Sequence, residues 1–159
     1  MSEKKASAAG DEARALEIVR VFDAPRALVF QAWVDPERME QWSAPHDYEI
    51  GHNEGEVRTG GRWRTSMVSK DEELWLGGVY LEVVENERLV FTHAWEGEDG
   101  QPGHETVVTV RFEDAGEGKT RMIFRQAFFD SVDSRDGHEG GWGECFDRLD
   151  DLLAKEAKA

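Results

Sequence analysis

Cysteine is almost absent from this sequence. The single residue, Cys145, cannot form a disulfide bond within the chain. This scarcity is typical of proteins from a reducing compartment, and we expect a cytoplasmic location. The chain also has no apolar run of the roughly 18 residues that a membrane-spanning helix needs. Residues 1–14 contain no apolar stretch like that of a secretory signal, so we expect no membrane association.

Basic residues are also scarce. The chain has 19 Lys and Arg against 34 Asp and Glu, which gives a formal net charge of −15. A surface of this sign repels phosphate backbones and anionic lipid headgroups, so we expect neither nucleic acid nor a membrane as a partner. The ordinary interpretation of the charge is solubility, and adaptation to a salty cytoplasm is the alternative.

The common catalytic and metal-binding signatures are missing as well. The Gly-rich segment at residues 97–103 lacks the Lys-Ser or Lys-Thr ending of a phosphate-binding loop, and Gly-x-Ser-x-Gly is absent. The five histidines are scattered, and no two stand four residues apart as in a helical zinc site. We therefore predict no metal and no cofactor, and we assign no catalytic residue.

The periodicity of the apolar residues predicts one strand, two short helices, about six further strands and one long helix. Residues 1–14 are small, polar and charged, and we expect a disordered tail there, before a single domain over residues 15–155. Pro25 suits the first turn of a helix, and Asp35 before Pro36 is a typical N-cap. The strands are predicted at 15–22, 47–52, 62–68, 74–84, 88–95, 105–113 and 120–128, and the long helix at 136–155.

Strands joined by short turns form an antiparallel meander whose apolar face must be covered. The Gly77-Gly78 pair inside one strand indicates a bulge or a sharp bend. The C-terminal helix can cover the sheet, because its apolar residues recur at helical spacing. These residues are Trp142, Cys145, Phe146, Leu149, Leu152 and Leu153. The sequence thus predicts an α+β fold in which a curved antiparallel sheet of six or seven strands wraps around one long C-terminal helix.

Several short motifs in this order resemble the START/polyketide-cyclase/Bet-v-like (SRPBCC) superfamily and its helix-grip fold. Within it, the chain is similar to the branch of the heat-shock protein 90 ATPase activator homologues (AHSA-type). The motifs are Phe22-Asp23-Ala24-Pro25, Val29-Phe30-Gln31-Ala32-Trp33, Asp35-Pro36, Gln41-Trp42, Gly60-Gly61-Arg62-Trp63, Gly78-Val79-Tyr80, Glu87-Arg88-Leu89-Val90-Phe91-Thr92 and Gly141-Trp142. The resemblance covers about residues 15–155. Ser43-Ala44 and Thr59 depart from the usual pattern at two loop edges.

The resemblance implies an apolar cavity between the sheet and the long helix, open at one end. From the strands we expect it to be lined by Trp63, Met67, Val79, Phe91, His93, Trp95, Val108, Phe124, Gln126 and Phe128. From the helix we expect His138, Trp142, Cys145 and Leu149. Glycines such as Gly140 and Gly141 would leave volume open there. The alternative is that these side chains meet and fill the core.

Two polar residues, His93 and Gln126, fall on the apolar side of their strands. Each needs a hydrogen-bond partner there, which could be a ligand, a neighbouring side chain or water. His138 with Glu139 could act as an acid–base pair, and Cys145 reads better as a small core residue than as a nucleophile.

These patterns favour a domain that binds a small hydrophobic or aromatic molecule without catalysis or a cofactor. The second hypothesis, from the resemblance, is a partner of the heat-shock protein 90 chaperone. The third is an enzyme of cyclase, dehydratase or hydrolase type that uses His93 or His138 as general acid or base. A monomer and a homodimer are both compatible with the sequence.

Overall fold

The computed structural model of the chain describes residues 14–158. The predicted tail therefore lies, except for its last residue, outside the described residues. The elements follow one another as β1 (Leu16–Phe22), α1 (Arg26–Val34), α2 (Pro36–Trp42), β2 (Glu49–Gly55), β3 (Arg62–Val68), β4 (Glu73–Val84), β5 (Arg88–Trp95), β6 (Thr106–Gly116), β7 (Lys119–Ala127) and α3 (Val132–Lys158). None of the helices within residues 14–158 is long and apolar enough to cross a membrane.

The seven strands form one antiparallel sheet in the order β1-β7-β6-β5-β4-β3-β2. Strands β2 to β7 follow the chain as a meander, whereas β1 crosses to pair with the last strand, with Leu16 opposite Gln126. The curved sheet packs against α3, whose Phe146 and Leu149 are fully buried. The predicted α+β helix-grip fold is confirmed.

The helix starts depend on local capping. The Asp35 side chain accepts a hydrogen bond from the Glu37 N–H at 3.2 Å, as the N-cap prediction requires. Pro25 stands just before α1 rather than in its first turn, with extended backbone and a carbonyl that accepts from Val29. Helix α3 begins at Val132, four residues before the predicted start. The Ser131 hydroxyl accepts from the N–H of Ser134, which stabilises this additional turn.

Gly78 allows β4 to approach β5 unusually closely. A Cβ atom at this position would lie 2.0 Å from the carbonyl oxygen of Thr92, so any other residue would push the strands apart. The next residue, Val79, donates its N–H to the Thr92 hydroxyl at 2.8 Å. The register shift in this pair lies between Tyr80 and Glu82, two residues beyond the predicted glycine position.

An aromatic cluster joins α1 to α3 and to the sheet. Trp33 packs edge-on against Trp42 at 4.7 Å and stacks on Trp142 at 6.1 Å and on Phe124 at 6.2 Å. The Trp42 N–H donates to the Ala32 carbonyl at 2.8 Å, which fixes α2 on α1. Burial of such large rings is a major source of stability, and it places Trp33 and Trp142 at the edge of the site described next.

Candidate functional site

An open recess of about 370 Å³ lies where the first half of α3 passes over β3, β4 and β5. We call it the helix recess. It is lined by Ser43, Pro45, Met67, Leu76, His93, Trp95, Ser134, Gly137, His138, Gly141, Trp142 and Cys145. A Cβ atom at Gly137 or Gly141 would meet no other atom within 4 Å, so the two glycines leave this space open.

A smaller space of about 60 Å³ adjoins the helix recess, and we call it the inner chamber. The two spaces share the walls formed by Ser43, Met67, Leu76, His93 and Trp142. The other residues of the inner chamber are Trp33, Met39, Trp42, Trp63, Thr65, Tyr80, Leu89 and Phe91. Neither set of lining residues includes Asp, Glu, Lys or Arg, so these walls carry no fixed charge.

The loop after α2 forms the rim of the helix recess and is fastened to α3. The Arg148 guanidinium donates to the carbonyl oxygens of Ala44 and Tyr48 at 3.0 and 3.1 Å. The backbone N–H of His46 donates to the Glu144 carboxylate at 2.8 Å. These contacts hold Ser43 and Pro45, which are neighbours of the bonded residues, against the mouth of the recess.

His93 is the most deeply buried polar side chain of the recess wall, with 4% of its surface exposed. Its ring lies 5.9 Å from that of Trp63 and 5.8 Å from that of His138. Among residues 14–157, no other side chain forms a hydrogen bond with the His93 imidazole. Burial, and secondarily the neighbouring His138, lowers the pKa of His93 to about 3. The imidazole is therefore neutral at physiological pH and has a nitrogen able to accept a hydrogen bond.

His138 is held in one tautomer by its two partners. Its Nε2 accepts a hydrogen bond from the Trp95 indole N–H at 2.9 Å. Its Nδ1 lies 2.7 Å from the carbonyl oxygen of Ser134, which can only accept, so Nδ1 carries the proton. Both nitrogens are thus engaged by the protein, and His138 fixes the position of the Trp95 ring in the recess wall.

Gln126 belongs to a buried chain of hydrogen bonds behind the recess. Its carbonyl oxygen accepts from the Trp142 indole N–H at 2.8 Å, and its amide donates to the Thr106 hydroxyl at 2.8 Å. Thr106 in turn donates to the backbone carbonyl of His93 at 3.0 Å. Neighbouring side chains therefore supply the partners that the sequence requires for Gln126, and Gln126 orients Trp142.

Cys145 lines the helix recess from α3 and is buried. Burial raises the pKa of its thiol to about 12, while the nearby Arg148 acts weakly in the opposite direction. The thiol is therefore protonated at neutral pH and is a poor nucleophile.

A family model matches residues 23–154, which include both spaces and all the helices and strands except β1 and the last four residues of α3. Its description is activator of Hsp90 ATPase homolog 1-like protein. The chain belongs to this AHSA1-like family. The suspected AHSA-type branch is therefore confirmed.

Solved structures share the fold of this AHSA1-like chain. An AHSA1 protein from Silicibacter pomeroyi has 23% identity and a TM-score of 0.81, over 89% of this chain and 99% of that one. A protein from Arthrobacter aurescens has 26% identity and a TM-score of 0.81, over 91% and 88%. A protein from Nitrosomonas europaea has 24% identity and a TM-score of 0.77, over 94% and 99%. No curated protein matches the sequence.

The AHSA1-like fold distributes the predicted site residues over three environments. Trp63, Met67, Phe91, His93, Trp95, His138, Trp142 and Cys145 line the helix recess or the inner chamber. Val108, Phe124, Gln126 and Leu149 are fully buried and pack in the core behind these walls. The remaining two, Val79 and Phe128, lie elsewhere.

The prediction that Val79 faces the helix recess is wrong. In β4, Leu76 and Tyr80 pair with Trp95 and Phe91 and are buried, so Val79, which precedes Tyr80 in the alternating strand, faces the opposite side of the sheet. The prediction that Phe128 faces inward is also wrong. This residue follows the last residue of β7 with a φ of 73°, which ends the alternation, and 45% of its surface is exposed. Phe129 turns inward in its place and is buried.

Sequence reasoning missed several lining residues of this AHSA1-like site. In the pairing of β4 with β5, Leu76 lies opposite Trp95 and Tyr80 lies opposite Phe91. Because paired residues point to the same face, the inward residues of β5 would have identified Leu76 and Tyr80 as inward residues of β4. Ser43 and Pro45 lie in a loop without periodicity, and Trp33 reaches the site only because α1 packs beside α3. No local signal in the sequence marks these three.

A larger groove of about 540 Å³ lies on the opposite face of the sheet. Arg64 crosses it, with its guanidinium bonded to Glu96 at 2.7 and 2.9 Å and stacked 3.9 Å from the Trp75 ring. Small residues, Gly77 and Ala94, form part of its floor. Within the described residues, no group of three or more His, Cys, Asp and Glu side chains could hold a metal ion.

Proposed function

We propose that this protein binds one small, mainly apolar molecule in the helix recess. Typical ligand sites span about 300–1,000 Å³ and combine apolar walls with a few placed polar groups. The recess of about 370 Å³ matches this description. The observation that carries the proposal is the neutral His93 imidazole, bonded to no other side chain, in an uncharged aromatic wall opposite glycines that leave the space open.

The chemistry of the recess favours binding over reaction. General acid–base catalysis works best with a pKa near the operating pH. Burial lowers the pKa of His93 to about 3, and both nitrogens of His138 are bonded to other residues. Burial also raises the pKa of the Cys145 thiol to about 12. The candidate acid, base and nucleophile are thus held in forms that react poorly.

The test is a titration with N-phenyl-1-naphthylamine, an uncharged fluorescent probe. We expect a stoichiometry near one and a rise in thermal stability, about 2.7 kcal/mol at a hundredfold excess over the dissociation constant. Trp95 and Trp142 in the recess wall provide a second signal through quenching of their fluorescence.

Gly141→Phe should abolish probe binding because the new ring would occupy the recess. Gly140→Phe is the matched control, since Gly140 lies on the same helix, also has no atom within 4 Å of its Cβ position, and does not line the recess. Binding that is lost equally in both variants, or in neither, would contradict the proposal, as would a wild-type protein that binds no probe.

A second candidate function is an interaction with the Hsp90 chaperone. Membership in the activator of Hsp90 ATPase homolog 1-like family supports it. The test is the ATPase rate of Hsp90 with and without this protein. Stimulation by wild type and Gly141→Phe alike would indicate a chaperone contact that does not use the helix recess, whereas an unchanged rate would eliminate this candidate.

A further inference from the structure

Trp33, one of the residues in the wall of the inner chamber, has a side-chain hydrogen-bond donor without a partner. The indole N–H of Trp33 is buried and has no hydrogen-bond acceptor within reach, and the residue as a whole is 4% exposed. Buried donors are almost always paired, because an unpaired one has lost its water without compensation. The neighbouring tryptophans follow the rule: Trp42 donates to Ala32 and Trp63 donates to Thr92.

A second polar group in the same chamber is the hydroxyl of Tyr80. Among the described residues it has no hydrogen-bond partner, and the side chain is buried. Burial raises the pKa of Tyr80 to about 12, so the hydroxyl keeps its proton and remains a donor. Trp33 and Tyr80 pack against the same ring, that of Phe91, at 6.3 and 5.8 Å. Two residues of the chamber wall that pack on the same aromatic ring therefore each have a donor without a partner among the described residues.

The size and charge of the two spaces restrict what could meet these donors. The inner chamber, at about 60 Å³, holds a small group rather than a ring, whereas the helix recess has room for a ring system. Neither space is lined by an Asp, Glu, Lys or Arg, so a charged molecule would lose its hydration without gaining a counter-ion.

Building on the proposed function, we propose that the ligand is an uncharged ring compound with an acceptor oxygen at one end. The oxygen, such as a ketone carbonyl, enters the inner chamber and accepts hydrogen bonds from the Trp33 N–H and the Tyr80 hydroxyl. The apolar rings remain in the helix recess against Trp95 and Trp142. Ligand binding then supplies an acceptor that the protein itself does not offer to the Trp33 N–H.

The experiment compares fluorene with 9-fluorenone, which share a three-ring skeleton and differ by one carbonyl group. Wild-type protein should bind 9-fluorenone about tenfold more tightly by calorimetry, as one or two buried hydrogen bonds imply. Tyr80→Phe and Trp33→Phe should each reduce the ratio of the two affinities severalfold. Trp75→Phe is the matched control, because Trp75 packs under Arg64 on the opposite face of the sheet and lines neither space. It should keep the full preference.

The outcomes separate this inference from the proposed function. Equal binding of both compounds by wild type, or a preference that persists in Tyr80→Phe and Trp33→Phe, overturns the inference while binding in the recess stands. Binding of neither compound, together with no binding of N-phenyl-1-naphthylamine, overturns both. If Trp33→Phe does not fold, Tyr80→Phe decides, since it removes only a hydroxyl. Tighter binding of the anionic probe 8-anilinonaphthalene-1-sulfonate than of N-phenyl-1-naphthylamine would overturn the assignment of an uncharged ligand.

Discussion

The burial of His93 predicts that protein stability falls as the solution is acidified. In the folded protein the pKa of His93 is about 3, because burial and the nearby His138 oppose protonation. In the unfolded chain the same imidazole has its ordinary pKa of about 6.5. The unfolded state therefore binds a proton that the folded state does not, over the whole interval between these two values.

The sign and magnitude follow from linkage. Because the folded pKa is depressed, the contribution to stability is full above about pH 6.5 and decreases as the pH falls toward about 3. Each pH unit in this window changes the free energy of unfolding by about 1.4 kcal/mol. Between about pH 7.5 and about pH 5, His93 alone should remove about 2 kcal/mol.

The assay is urea unfolding of wild type and His93→Leu across this pH range. Every other ionisable group is present in both proteins, so the difference between the two curves isolates His93 together with its coupling to His138. Wild type should lose about 2 kcal/mol more than His93→Leu on acidification. Parallel curves for wild type and His93→Leu would refute the argument that burial opposes protonation of His93.

Three further predictions concern the core and the recess wall. Leu149→Ala should reduce the free energy of unfolding by about 2–5 kcal/mol because Leu149 is fully buried, whereas the exposed Leu81→Ala should change it by less than about 0.5 kcal/mol; equal losses in urea unfolding would contradict the packing. Gln126→Leu should cost about 1–3 kcal/mol in the same assay, since it leaves the Trp142 N–H without its acceptor, and an unchanged stability would count against the buried network. Iodoacetamide should alkylate Cys145 about a thousandfold more slowly at neutral pH in folded than in urea-unfolded protein, as its raised pKa implies, and similar rates measured by mass spectrometry would contradict its burial.

Much of the site wall could be predicted from strand alternation alone. Phe91, His93 and Trp95 share one phase in β5, and the structure places all three on the walls of the recess or its inner chamber. Helical spacing likewise brought Trp142 and Cys145 to the same side of α3. Whether any of these residues contacts a ligand stays a prediction.

The sequence does not predict side-chain direction where a strand ends or where the inward phase of a strand depends on its partner. Val79 lies in a strand whose inward phase is set by its pairing with β5, and the sequence of β4 alone does not contain that information. Phe128 follows the strand in a left-handed conformation that shifts the inward position to Phe129. Both errors arose because side-chain direction depends on the partner strand and on single backbone angles.

The sequence by itself determined the type and order of the elements, since periods of two and of about 3.6 are local properties of the chain. It also determined the negative charge and the absence of a disulfide bond. Only the tertiary structure decided that Trp33 would keep a free N–H, that His93 would be buried beside His138, and that Gly141 would face an open space. These properties depend on which atoms from distant segments approach one another, and that is settled by the packing of α1 and α3 against the sheet.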